Sequence, residues 1–193
     1  MRTTTKGFPI HTPDTAPEGS RAALARSQAS YGMVPNLHGI LAEAPAALEG
    51  YAALVDLVSE SSLSPAEQQV VYLASNYENE CRYCMAGHSA LAASAGLDAA
   101  AVGAIRDGRA IKDARLEALR RFASLVVTQR GWVGEDETRA FMDAGFTRRQ
   151  ALEVVTAVAA KVISNYTNHL ADTPLDGFMG ETVWTPPRER TAA

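Results

Sequence analysis

Residues 63–89 read LSPAEQQVVYLASNYENECRYCMAGHS, and the fold follows from how this stretch divides. Ser64-Pro65-Ala66-Glu67 is a helix start: serine at the N-cap, proline at the first helical position, glutamate placed to close a capping box. Val70, Leu73, Ala74 and Tyr77 then recur at helical spacing, and Val71 and Tyr72 widen that face. A well-buried helix ending near Asn79 is expected. Cys81 opens the next helix, expected to run to about Ala95 with Gly96 as C-cap. A helix here sets Cys84 and His88 four apart on one face, an imidazole beside a thiol. The amides at a helix start favour an anion, which lowers the pKa of a thiol placed there.

Upstream, Pro9, Pro13, Pro17 and Gly19 break regular structure, so residues 1–19 read as a flexible arm. Ser20 is expected to cap a helix through Ser30, a short helix to cover Leu37 to Glu43, and Pro45 to open another to about Ser59. Downstream, Asp98 caps a short helix to Arg106, and Asp107-Gly108-Arg109 turns the chain. A long helix from about Ala114 to Gln129 presents Leu116, Leu119, Phe122, Ala123 and Val126. After the break at Gly131-Trp132-Val133-Gly134, the acids Glu135, Asp136 and Glu137 fit a first helical turn, and that helix ends at Gly145. Thr147 with Gln150 forms a second capping box. It opens an apolar helix whose Leu152, Val155, Val158, Ala159, Val162 and Ile163 are read as a core face. A domain over 20–175 is followed by a tail, 176–193. Its Phe178, Met179, Val183 and Trp184 are expected to pack on the domain or on a neighbouring subunit. Ser94-Ala95-Gly96-Leu97 and Asp143-Ala144-Gly145-Phe146 stand 49 residues apart, each after a helix, a break and a helix. Two related helical hairpins account for this. No stretch reads as a strand, so the fold class is all-α.

With 193 residues, 47% of them hydrophobic, the chain can build a real core. A net charge of -4, with Arg120-Arg121 and Arg148-Arg149 read as solvated faces, gives no footprint for nucleic acid. No apolar run resembles a signal peptide or a membrane span, and the simplest expectation is a cytoplasmic, soluble protein. No phosphate-type glycine loop or dinucleotide fingerprint occurs, and no cofactor is expected.

Two cysteines do not make a disulfide framework. At Cys-x-x-Cys spacing they have another use: one thiol attacks a substrate and the other closes a disulfide. Two other readings compete. Cys81, Cys84 and His88 can supply three zinc ligands, with His169 or a carboxylate as the fourth, or both cysteines can be buried and inert. Three ligands crowded into eight residues make a poor structural zinc site, and the following Gly87 and His88 favour redox chemistry. Glu78, three residues before Cys81, is the carboxylate chosen to take a thiol proton; Glu80 is read as solvated. Arg82 either steadies a thiolate or faces solvent, and Tyr83 is expected to pack. His11 and His38 have no evident partner, while His169 lines a site or interface, or caps a helix end.

The stretch from Leu63 to Ser89 resembles the core of the carboxymuconolactone decarboxylase and AhpD-like family, in its alkylhydroperoxidase branch. That branch carries a glutamate, eleven residues, then Cys-x-x-Cys-x-x-x-His, matched here at Cys81, Cys84 and His88. The likeness extends over about residues 30–175, including Asn165-Tyr166-Thr167-Asn168-His169 and Thr173-Pro174-Leu175-Asp176. It implies an all-helical domain assembling as trimers or hexamers. It implies reduction of organic or hydrogen peroxides, or electron transfer to a peroxiredoxin, with a thiol or lipoyl-type protein as reductant. It implies Cys84 as nucleophile, Cys81 as resolving thiol and His88 in a proton relay. At the relay glutamate this chain has Gln69, which holds a hydrogen bond but takes no proton. The relay then runs through Glu78, or water serves, or peroxidase turnover is slow. The decarboxylase branch works without the dithiol, so Cys81 and Cys84 point away from lactone decarboxylation. A carboxymuconolactone decarboxylase-like lyase, a non-enzymatic redox sensor and a metal-binding protein are the alternatives.

Overall fold

The computed structural model describes residues 2–190. A short antiparallel pair, β1 (Arg2–Thr3) and β2 (Pro9–Ile10), leads into α1 (Glu18–Tyr31), α2 (Asn36–Leu41) and α3 (Pro45–Ser59). Then come α4 (Pro65–Glu78), α5 (Arg82–Leu91), α6 (Ala99–Arg106), α7 (Ala114–Thr128), α8 (Glu135–Asp143) and the 24-residue α9 (Arg148–Ala171). A 3₁₀ turn (Gly177–Thr182) and α10 (Pro187–Arg190) close the chain. The fold is all-α, as the periodicity predicts, and among the described residues only the small β1–β2 pair is added.

Both capping boxes form. Glu67 N–H donates to Ser64 Oγ at 3.3 Å and Ser64 N–H to the Glu67 carboxylate at 2.8 Å. Thr147 and Gln150 exchange the same bonds at 3.0 and 3.2 Å. These fix the starts of α4 and α9, the two central helices. α4 packs on α5, α6, α7 and α9, and α9 on α2, α3, α5 and α7 as well. One core lies on the α7–α8 side, where Phe122, Phe141 and Phe146 stack at 4.1 and 4.6 Å between centroids. A second lies on the α1–α3 side, where Leu24, Leu41, Leu48 and Tyr51 close over Cys81 and Cys84.

Several expectations are corrected. The arm is held rather than free. His11 Nε2 meets the Glu43 carboxylate at 2.6 Å, and His11 N–H donates to the Gly39 carbonyl at 3.0 Å. A Cβ at Gly39 would stand 2.8 Å from His11 O, so only glycine lets β2 lie this close to α2. Ser20 does not cap α1. It lies buried inside the first turn and donates to the Ala42 carbonyl at 2.6 Å. α5 stops at Leu91 instead of Ala95. The chain then tightens into a Schellman-type end, with Leu97 N–H on Ala92 O and Gly96 at φ 78°.

The core face of α9 differs most. Val158 faces inward, but Leu152, Val155 and Val162 are 70%, 48% and 37% exposed. The buried face carries Val154, Ala157, Ala160, Ser164, Asn165, Asn168 and Lys161. Close packing on α3 and α4 takes small side chains, leaving the larger apolar ones outside. In the tail, Met179 and Trp184 pack on the domain while Phe178 and Val183 stay exposed; residues 191–193 lie outside the described ones. Among the described residues no helix is long and apolar enough to cross a membrane.

Candidate active site

The end of α4 and the start of α5 bring the dithiol to the seam between the two cores. Glu80 turns the chain with φ 52°, Cys81 is the N-cap of α5, and Cys84 lies one turn in. Both cysteines are free and buried. α9 crosses behind them and presents Lys161, Ser164, Asn165 and Asn168.

Lys161 is 1% exposed. Its ammonium donates to His88 Nε2 at 2.9 Å, and its Nζ stands 5.4 Å from the centroid of the Tyr72 ring. An ammonium can only donate. His88 Nε2 is therefore the acceptor, and Nδ1–H donates to Gln69 Oε1 at 2.9 Å. The tautomer is fixed from both sides. Burial first, and Lys161 second, hold the His88 pKa well below 6.5, so the imidazole is neutral.

The two thiols are unlike. Burial is the largest influence on Cys84 and pushes its pKa up. The hydrogen bond from Cys81, the charge of Lys161, and contacts with Ser164 and Asn165 outweigh it and bring the pKa down to about 5. Cys81 goes well above its ordinary value, through burial and then through Cys84. The pair shares one negative charge, held on Cys84. Asn168 Nδ2 donates to Cys84 Sγ at 3.2 Å and lies 3.8 Å from Cys81 Sγ. Asn79 donates to Asn165 Oδ1 at 2.9 Å and Asn165 to Asn76 Oδ1 at 3.0 Å, so amides brace this wall. Asn76 Nδ2 and Asn168 Oδ1 are buried without a partner among the described residues.

Cys81, Cys84, His88 and Gln69 are thus brought together, but not as the spacing suggests. Among the described residues no hydrogen bond joins His88 to either sulfur; Lys161 bonds the imidazole and acts on Cys84 through its charge. No hydrogen bond joins Glu78 to either thiol among the described residues, and its charge acts on Arg120 of α7. Glu80 pairs with Arg188 at 3.1 Å, and Arg82 pairs with Glu189. Tyr83 does more than pack. Its hydroxyl donates to the Asp176 carboxylate and accepts from Leu37 N–H at 3.3 Å, tying the tail and α2 to the dithiol turn. His88 has both nitrogens engaged, Nδ1 with Gln69 and Nε2 with Lys161. Among the described residues no three His, Cys, Asp or Glu side chains gather to hold a metal ion.

Lys161 and Asn168 escape the sequence reading. The signal available for Lys161 is a single lysine inside the apolar run from Val154 to Ile163. A cleft of about 800 Å³ ends on Cys81 and Asn168, walled by Tyr83, Leu175, Val183 and Trp184. His169 lines the same cleft and is exposed.

Residues 42–125 match the Carboxymuconolactone decarboxylase family. No curated protein matches the sequence. Among solved structures, an AhpD-core, uncharacterized peroxidase-related protein of Ralstonia eutropha JMP134 superposes with a TM-score of 0.77 at 21% identity, over 89% of this chain and 93% of that one. A peroxidase-related protein of Silicibacter sp. TM1040 gives 0.78 at 20%, over 93% and 96%. A cysteine-to-alanine variant of the debrominase Bmp8, in complex with 2,3,4-tribromopyrrole, gives 0.75 at 15%, over 91% and 94%. The match to the carboxymuconolactone decarboxylase family is confined to residues 42–125, and the fold built around them is similar to the all-helical AhpD-like one.

Proposed function

We propose that the chain is a dithiol oxidoreductase that reduces hydroperoxides through a Cys81–Cys84 disulfide cycle. The observation that carries this is the asymmetry of the pair: a buried thiolate on Cys84 balanced by Lys161, with a protonated Cys81 beside it. The fold and family support peroxidase-related or carboxymuconolactone decarboxylase-like activity in general. The dithiol supports the narrower reading.

The Cys84 thiolate attacks the terminal oxygen of R–O–O–H. The O–O bond breaks, its electron pair leaves on RO⁻, and this takes up a proton as the alcohol. Cys84 is left as a sulfenic acid. Cys81 attacks that sulfur, its proton leaves with the hydroxide as water, and the disulfide closes. A thiol or lipoyl-type protein returns two electrons and two protons. Gln69 orients His88, His88 holds Lys161, and Lys161 holds the thiolate, so no carboxylate base is required. Free thiols suit a reducing cytoplasm, where we place the protein. We also propose that it assembles with copies of itself, as a trimer or hexamer, with the exposed face of α9 as an interface.

The test is anaerobic stopped-flow mixing of the reduced protein with an organic hydroperoxide, with intact mass read afterwards. A saturable loss of two hydrogens, abolished in Cys84→Ser, is expected. The rate should be flat above pH 6 and fall as the thiolate protonates near pH 5. A rate no better than a free thiol, or faster thiol loss with a brominated pyrrole than with the peroxide, would overturn the reading.

A further inference from the structure

Asn168 is 95% buried, lines the cleft together with Cys81, and reaches the Cys84 sulfur with its amide. Its amide has one fixed half and one unused half. A thiolate needs a donor, so Nδ2 must face Cys84, where it lies at 3.2 Å. That leaves Oδ1, an acceptor bound to the same carbon and buried with no partner among the described residues. A buried carbonyl without a donor is costly unless something else supplies one. The neighbouring amides do not. Asn165 donates to Asn76, and Asn79 donates to Asn165.

We propose that Asn168 positions the hydroperoxide: Nδ2 holds the Cys84 sulfur while Oδ1 accepts the O–H of an incoming R–O–O–H, whose organic group lies in the cleft between residues 173–175 and the carboxy-terminal segment. The reading rests on the peroxidase function proposed above and adds its substrate contact. In the step, Cys84 Sγ bonds to the terminal oxygen while the O–O pair departs on RO⁻ and is protonated to ROH. The hydrogen of the hydroperoxide stays on the transferred oxygen, as S–O–H. Oδ1 therefore keeps the same hydrogen bond from substrate to sulfenic acid. The body of the substrate meets Leu175, Val183, Trp184 and Tyr83, in a volume of about 800 Å³ that suits an organic group. A dialkyl peroxide or other electrophile without a donor makes no use of Oδ1.

The test compares two probes on the wild-type chain and on Asn168→Ala and Asn168→Ser. One is cumene hydroperoxide. The other is methyl methanethiosulfonate, which reacts with a thiolate and has no hydrogen to donate. Rates are divided by the thiolate fraction of each variant, read from its ultraviolet absorbance against pH. Asn168→Ala should lose roughly 10- to 100-fold more on the hydroperoxide than on the thiosulfonate. Asn168→Ser, which retains an acceptor oxygen, should recover part of the loss; it carries the comparison alone if the alanine variant does not fold. Equal losses on both probes, or none on either, would overturn the role of Asn168. A wild-type chain that reacts with the thiosulfonate but not with the hydroperoxide would instead overturn the peroxidase reading on which it rests.

Discussion

Lys161 carries a positive charge into the interior, and among the described residues no carboxylate meets it there. A buried ammonium without a counter-charge is costly, and the group able to supply one is Cys84. This makes the low pKa of Cys84 a matter of charge balance as much as of helix position. Lys161→Met keeps most of the volume and removes the charge. The Cys84 pKa, about 5 in the native chain, should rise toward its ordinary 9.0, measured by thiolate absorbance against pH. An unchanged titration would refute the pairing. Stability follows the same linkage. The folded pKa of Cys84 lies below its ordinary value, so the thiolate contribution is full above pH 9 and is lost as pH falls toward 5. Gln69 takes its meaning here too. A carboxylate at its place would compete with Cys84 for the lysine charge, whereas an amide orients His88 without doing so.

At the scale of elements, the chain is legible wherever a start signal is local. Ser64 with Glu67 and Thr147 with Gln150 close within one turn, so their side chains decide the helix ends without help from the rest of the fold. Ser64→Ala should cost about 1 kcal/mol and lower the melting temperature by roughly 2–4 °C, read by calorimetry; no change would show that tertiary packing alone starts α4. The site is only half legible. Cys81, Cys84, His88 and Gln69 announce themselves in one stretch. Lys161 and Asn168 come from a helix more than 70 positions away and reach the thiols only because α9 turns its small side chains inward. Hydropathy ranks Leu152 and Val155 above Ala157 and Ala160 and so selects the opposite face. Glu78 stands three residues before Cys81, but α4 ends at Glu78 and the chain turns at Glu80, so the two do not share one helix face.

For the whole molecule, the outward face of α9 is the feature that a lone chain does not explain. Leu152, Val155, Val162, Tyr166 and Leu170 lie exposed, spaced by combinations of three and four along more than five turns of helix. Such a seam is ordinarily covered by another helix, and in a symmetric assembly the same surface meets itself. Val155→Glu combined with Val162→Glu should reduce the mass seen by light scattering to that of one chain, while circular dichroism stays helical. An unchanged multiple mass would place the interface elsewhere.

The two tryptophans occupy opposite environments. Trp132, in the α7–α8 loop, is 87% exposed. Trp184 is 4% exposed, donates to the Arg106 carbonyl and walls the cleft above the dithiol. Their emissions therefore separate in colour and in access to a soluble quencher. With Trp132 replaced by phenylalanine, the chain carries its own optical probe within the cleft, and events at the sulfurs can be followed in real time without attaching a dye.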